Sequence, residues 1–178
     1  MHPQKKIKIA LTGGIGTGKT YISNHFLDIG IPVFYADDEA KKLYDSEPVL
    51  NLFSEKFGDT FFTNNSLDTS KLAAFIFQNA ENRKQIEAFI HPLLMQKFEE
   101  WVPQQTSNIV MMESAIIFEA GLEKFFDKII VVDAPLDVRI KRIKNRNSHW
   151  SDQEILQRID QQISQEEKCK LGDFVISG

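Results

Sequence analysis

The run Gly13-Gly14-Ile15-Gly16-Thr17-Gly18-Lys19-Thr20 has the spacing of a phosphate-binding loop: glycine, four residues, then Gly-Lys-Thr. Its residue types suit that task. Glycines let successive backbone N–H groups approach phosphate oxygens with no side chain between. A lysine at the seventh place reaches β- and γ-phosphates as a point charge, and the hydroxyl beside it is a Mg²⁺ ligand. The motif requires a strand before it and a helix after it, so that the helix presents its positive end to the same anion. Gly14, Ile15, Gly16, Thr17, Gly18, Lys19, Thr20 and Tyr21 are the expected contacts to ATP, with Thr20 on Mg²⁺. The spacing alone does not choose among a kinase, a GTPase and an ATP-driven motor.

Three features bear on that choice. The chain has no Asn-Lys-x-Asp run for reading guanine, no Asp-x-x-Gly after a strand, and a length short for a motor. It does have arginines at 139, 142 and 146, followed by the polar run Asn147-Ser148-His149-Trp150. Arginine pairs its planar fork with phosphate oxygens, so this stretch reads as a lid over residues 139–152. Arg142 and Arg146, four apart, share one helical face and are the expected catalytic pair. The alternative for each arginine is a solvated helix face.

Carboxylates supply the rest of the chemistry. Asp37 follows a short apolar run, at the C-terminal end of a strand expected beside the loop strand, where ligands bind in open α/β sheets. There it serves as general base toward an acceptor hydroxyl, or else caps the next helix. Glu113 ends another apolar run and is a second acid for Mg²⁺, acting through water, with a plain surface glutamate as its alternative. Glu119 either pairs with a basic group or positions the acceptor. His91, ahead of Pro92, either contacts the acceptor or packs with its hydrogen bonds met. Cys169 has no partner in sequence for chemistry and is expected to be inert.

These groups need a scaffold. Residues 7–11, 31–35, 109–112, 129–132 and 174–176 read as strands, and the continuous apolar runs suit parallel strands covered on both faces. Helices are expected at 19–29, 38–44, 49–57, 70–77 and 80–101, from Pro135, and from the Ser151-Asp152-Gln153-Glu154 capping box to about Lys168. Residues 58–68 read as a polar turn. Alternating strands and helices imply an α/β, doubly wound parallel sheet of about five strands. The helical run between the second and third strands exceeds a simple crossover. The chain thus reads as one kinase-like domain with a core of 7–37 and 108–178 and a helical, acceptor-binding insertion at about 38–107. Fourteen phenylalanines, among them Phe57, Phe61, Phe62, Phe75, Phe77 and Phe89, are mostly core, with a few left to line an apolar groove.

Composition bounds the partners. The chain has 178 residues, 42% hydrophobic and 26% charged, which is ordinary for one globular domain. A net charge of −4 offers no overall positive field for nucleic acid or an anionic membrane. No apolar run is long enough to span a bilayer, and Met1–Lys6 lead into the first strand without a signal-like stretch. A single cysteine excludes an internal disulfide and accords with a reducing cytoplasm. A monomer or weak homo-oligomer is expected.

Ala10-Leu11-Thr12-Gly13-Gly14-Ile15-Gly16-Thr17-Gly18-Lys19 closely resembles the opening of the dephospho-CoA kinase family. Gly30-Ile31-Pro32-Val33 into Ala36-Asp37, Ile90-His91-Pro92-Leu93, Ile116-Ile117-Phe118-Glu119, Gln162, Glu166, Lys168 and Asp173-Phe174-Val175-Ile176 resemble later family elements in the same order. The resemblance implies a P-loop NTPase-type fold, ATP with Mg²⁺, and dephospho-CoA as acceptor, phosphorylated on its ribose 3′-hydroxyl. It implies catalysis by Asp37 and Lys19 with Arg142 and Arg146, and contacts to the acceptor from Asp37, His91 and Glu119. The chain departs from the family pattern in three places. Tyr35-Ala36-Asp37 stands for Asp-Ala-Asp, Ala115 stands for proline, and Ser177 stands for asparagine; the family's closing helix would follow Gly178. The rival readings are a P-loop kinase for another metabolite or nucleotide, and a nucleotide-dependent switch without transfer chemistry. Acceptor-dependent release of ADP separates the two classes.

Overall fold

The computed structural model describes residues 5–64 and 66–178. The expectation for residues 1–4 and the core assignment of the Phe77 side chain lie outside what is described. Two compact units emerge, Ala36–Trp101 and the remainder of the chain.

The larger unit is built on a five-stranded, all-parallel sheet. Its strands are β1 (Ile7–Thr12), β2 (Val33–Tyr35), β5 (Ile109–Glu113), β6 (Lys128–Asp133) and β7 (Phe174–Ser177), in the order β2-β5-β1-β6-β7. β1 is central, with Leu11 opposite both Glu113 and Ile130. The chain leaves β1 to one side and later returns to the other, which opens a crevice at its C-terminal end. Leu11, Val33, Met111 and Val132 form a buried cluster, flanked by Ile22 and Phe26 from α1 (Lys19–Asp28). The residues that alternate with these along the strands and point to the other face, Ala10, Val110, Met112, Ile129 and Val131, are buried as well, which explains why the strands read as continuous hydrophobic runs.

The strand order corrects one expectation. β2 pairs with β5, not with β1, so the strand that precedes Asp37 is the sheet edge and Glu113 ends the strand beside the loop strand. Strand order depends on long-range pairing, which hydrophobic periodicity does not encode.

On this unit α6 (Leu136–Arg146) follows Pro135, whose fixed φ suits a helix entrance. The helix expected to run to Lys168 is two helices, α7 (Asp152–Asp160) and α8 (Gln165–Leu171). The capping box forms as read: the Ser151 hydroxyl accepts from the Glu154 amide at 3.2 Å and the Ser151 amide donates to Glu154 at 2.7 Å. The break has its own cap, Ser164, whose hydroxyl accepts from the Glu167 amide. Ser-x-x-Glu thus recurs inside what periodicity alone joined into one helix.

The smaller unit comprises α2 (Ala36–Tyr44), α3 (Glu47–Phe57), α4 (Thr69–Gln78) and α5 (Ala80–Trp101), with α2 and α4 packed on α5. Residues 58–68, expected as a turn, hold a 3-10 turn and a short antiparallel ribbon of β3 (Phe62–Thr63) and β4 (Ser66–Leu67). Asn64 there takes φ 51°, a left-handed conformation that asparagine tolerates. Phe53, Phe57, Phe61 and Phe75 form an aromatic core with centroids 5.1–6.0 Å apart, mostly edge-to-face. Pro92 lies within α5 and the helix runs through it, although proline cannot supply the amide that would reach the Ala88 carbonyl.

Candidate active site

The loop 13–18 connects β1 to α1, and its glycines are required by its packing. Gly13 has φ +144°, and a Cβ there would lie 2.4 Å from the Val132 carbonyl oxygen. Gly16 has φ +84°, and a Cβ would meet Arg139 backbone oxygen at 2.7 Å. Any other residue would shift the loop off β6 and α6.

The loop is also held through its polar atoms. The Gly14 amide donates to Gln165 Oε1 and the Ile15 amide to Gln162 Oε1, each at 2.8 Å. Arg139 Nε donates to the Ile15 carbonyl at 2.9 Å, and Arg142 donates to the Thr17 carbonyl at 3.1 Å. Thr17 donates from its hydroxyl to the Gly14 carbonyl at 2.9 Å, closing a turn within the loop. Lys19 folds back to the Gly13 carbonyl at 3.0 Å, so its ammonium lies over the loop. A cleft of about 170 Å³ is lined by Gly16, Gly18, Lys19, Thr20, Arg142 and Arg146. Three cations and a helix N-terminus converge there, an arrangement suited to a polyphosphate.

Thr20 and Glu113 also meet, the Thr20 hydroxyl donating to Glu113 Oε2 at 3.4 Å. The Glu113 residue is 8% exposed, at the end of β5. A hydroxyl and a buried carboxylate side by side fit Mg²⁺, which takes few protein ligands and completes its shell with water and phosphate oxygens. Among the described residues no group of three or more His, Cys, Asp or Glu forms a metal cluster, so a metal here relies on that small set.

Of the other sequence-selected residues, Glu119 pairs with Lys168 at 2.6 Å and accepts from the Ile163 amide at 3.0 Å. This is the basic partner that the sequence left as one of its two readings. Lys168 is wholly buried and also donates to the Ala115 carbonyl. Burial lowers its pKa, and the Glu119 carboxylate opposes that shift. Asp37 and Asp38 both lie in the first turn of α2, which begins at Ala36. Asp37 therefore lies inside the helix and not at its cap, and Asp38 pairs with Lys41 at 3.0 Å. Carboxylates in a first turn complement the helix dipole. His91 is half-buried within α5, and burial holds its pKa below the usual histidine value. Burial and the nearby Asp133 raise the Cys169 thiol pKa, which suppresses its thiolate.

Arg146 lines the cleft with Arg142 on α6, while Arg139 is only 5% exposed and serves the loop itself. Burial lowers the Arg139 pKa, with the Asp133 charge opposing. The residues that sequence reasoning passed over are Arg139 as a loop anchor and Gln165. Neither gives a local signal, because each acts on atoms more than a hundred residues away in sequence. Trp150, in the polar stretch after α6, carries the Arg158 guanidinium over its ring at 4.0 Å.

Comparison with known proteins bears on this geometry. The family model described as dephospho-CoA kinase matches residues 7–178. A dephospho-CoA kinase of Bacteroides fragilis (strain YCH46) is 38% identical over 173 residues, 96% of this chain and 83% of that protein. A solved Thermus thermophilus structure, TT1252, superposes with a TM-score of 0.86 at 29% identity, covering 97% of this chain and 88% of that one. The dephospho-CoA kinase of Campylobacter jejuni gives 0.65 at 27% identity, covering 96% and 87%. A match that runs from the first strand through the last, around a loop built for phosphates, makes this chain a member of the dephospho-CoA kinase family.

Proposed function

We propose that the chain transfers the γ-phosphoryl group of ATP to the ribose 3′-hydroxyl of dephospho-CoA, giving coenzyme A and ADP. The observation that carries this reading is the phosphate cleft of a family member, with Lys19, Arg142 and Arg146 around a glycine loop at the end of the central strand.

The chemistry is an in-line displacement. The acceptor oxygen forms the new P–O bond as the bond to the β-phosphate oxygen breaks. Lys19 and the loop and α1 amides hold the β- and γ-phosphates and take up charge that moves toward ADP. Arg142 and Arg146 share that charge, as part of a lid over about 139–152 that excludes water from the reacting phosphate. Thr20 and Glu113 would hold Mg²⁺, Glu113 through water; when bound, the ion neutralises phosphate charge. Asp37 accepts the proton of the 3′-hydroxyl or orients it. The helical unit of 36–101, with His91, binds the acceptor, and its apolar side chains take the pantetheine arm. Glu119 we place with Lys168 as support for the loop rather than on the acceptor. A cytoplasmic setting supplies ATP and keeps Cys169 reduced.

The test is ADP formation with a panel of dephospho-CoA, AMP, adenosine, shikimate and gluconate. Turnover should be fast with dephospho-CoA and far slower with the rest, and the product should carry its new phosphate at the 3′ position by phosphorus NMR. Activity with another panel member and none with dephospho-CoA overturns the acceptor assignment. ATP binding with no acceptor-dependent ADP overturns the kinase reading.

A further inference from the structure

Gln162 and Gln165 have no part in the transfer chemistry described above, yet each accepts from a different amide of the phosphate loop. Ile15 donates to Gln162 and Gly14 to Gln165, both at 2.8 Å. The Gln165 amide cannot turn over without loss, because its Nε2 donates to the Val132 carbonyl at 3.0 Å and so fixes Oε1 toward Gly14. Ile15 is held at both ends of its peptide, since Arg139 binds its carbonyl. The segment bearing the glutamines is anchored in turn: Glu119 accepts from the Ile163 amide, and the buried Lys168 ties Glu119 to the Ala115 carbonyl. An N–H carries a single hydrogen, so while these bonds last the Gly14 and Ile15 amides serve the protein and not the phosphate.

We propose that Gln162 and Gln165 are positioning residues for the nucleotide: they hold the first half of the phosphate loop in its ligand-ready shape through the Ile15 and Gly14 amides, without touching phosphate. Preorganising a loop removes an ordering cost that the ligand would otherwise bear, so the effect falls on ATP affinity. This narrows the sequence-based contact list, in which Gly14 and Ile15 were expected to bind ATP directly. It rests on the proposed kinase reading for its turnover measurements but not for its binding measurements.

The test uses Gln162→Met and Gln165→Met, which keep side-chain length and remove the acceptor. Loss of one such hydrogen bond corresponds to roughly a 3- to 10-fold weaker Kd for a non-hydrolysable ATP analogue by calorimetry. KM for ATP should rise equally, while kcat and KM for dephospho-CoA stay within about twofold. In nucleotide-free protein, amide exchange by NMR should be slow at Gly14 and Ile15, and each variant should speed it at its own partner: Ile15 for Gln162→Met, Gly14 for Gln165→Met. A general loss of packing would spread over many amides and lower kcat as well. Fast exchange at both amides in the wild type overturns the proposal without any variant. So do unchanged analogue affinities in both folded variants. If the wild type leaves dephospho-CoA unphosphorylated, the functional reading fails while the affinity and exchange data still judge this one.

Discussion

Lys19 follows the loop and lies over its carbonyls rather than in the core, so its loss should fall on chemistry. Lys19→Ala is expected to abolish transfer with the unfolding transition nearly unchanged, checked by activity beside a urea titration. Near-normal activity in a folded variant would remove the loop from the mechanism. Arg142→Ala and Arg146→Ala should lower kcat more than they raise KM, because lid charges act most strongly as the transition state forms. Wild-type kinetics in both would dismiss the lid. Arg142 binds the Thr17 carbonyl through one donor, and a guanidinium carries five, so a structural bond and a catalytic contact are compatible in one side chain. The Glu119–Lys168 pair behaves differently, since its lysine is fully buried and its glutamate side chain is 19% exposed. Glu119→Ala strands a buried ammonium and should cost about 3 kcal/mol of stability. Lys168→Met leaves a carboxylate that still accepts from the Ile163 amide and should cost less. Urea denaturation that gives the reverse order would refute this account of the pair.

At the scale of elements, the capping box at the start of α7 is both legible and testable. Ser151→Ala removes the hydroxyl that accepts from the Glu154 amide and should cost about 1 kcal/mol. No change in the urea midpoint would mean that tertiary packing alone holds the helix. Asp37 in the first turn of α2 tests catalysis against helix stabilisation. Asp37→Asn keeps the shape and removes the basic carboxylate, so kcat should fall by roughly 10²–10⁴ with little loss of ATP affinity. A lower melting temperature with unchanged kcat would give Asp37 a structural role instead. Helix ends predicted from sequence lie within two residues of those observed for α2 to α5, because caps, prolines and apolar spacing act locally. The α7–α8 break escapes a reading by periodicity, which runs through the Ser164 cap, and its tie from the Ile163 amide to Glu119 reaches across 44 residues that no local pattern encodes.

For the whole molecule, the half-buried His91 sets a pH dependence of stability. Its folded pKa is depressed by burial, so the unfolded chain takes up a proton first as pH falls. Stability should therefore be fully present above the ordinary histidine pKa of about 6.5 and decline as pH drops from there toward the folded value. His91→Gln should flatten that decline in melts between about pH 7 and 5; an unchanged profile would remove His91 as its source. Truncated acceptors should test the helical unit at the same scale. If residues 36–101 grip the pantetheine arm, an acceptor lacking that arm should lose kcat as well as affinity, because remote binding energy orients the 3′-hydroxyl.

The sequence alone determined the phosphate loop, the five strands, most helix ends and the family, because each rests on local spacing or on ordered motifs along the chain. Tertiary structure decided which strands are neighbours, and so put Glu113, not the strand before Asp37, beside the loop strand. It also brought the Thr20 hydroxyl to Glu113, paired Glu119 with Lys168, and set Gln162 and Gln165 on the loop amides. Those contacts reach across as many as 151 residues of the chain. A glutamine carries no periodicity or capping pattern that names its distant partner. Only closure of the sheet, with its buried faces and unmet polar atoms, selects which amide a side chain must satisfy.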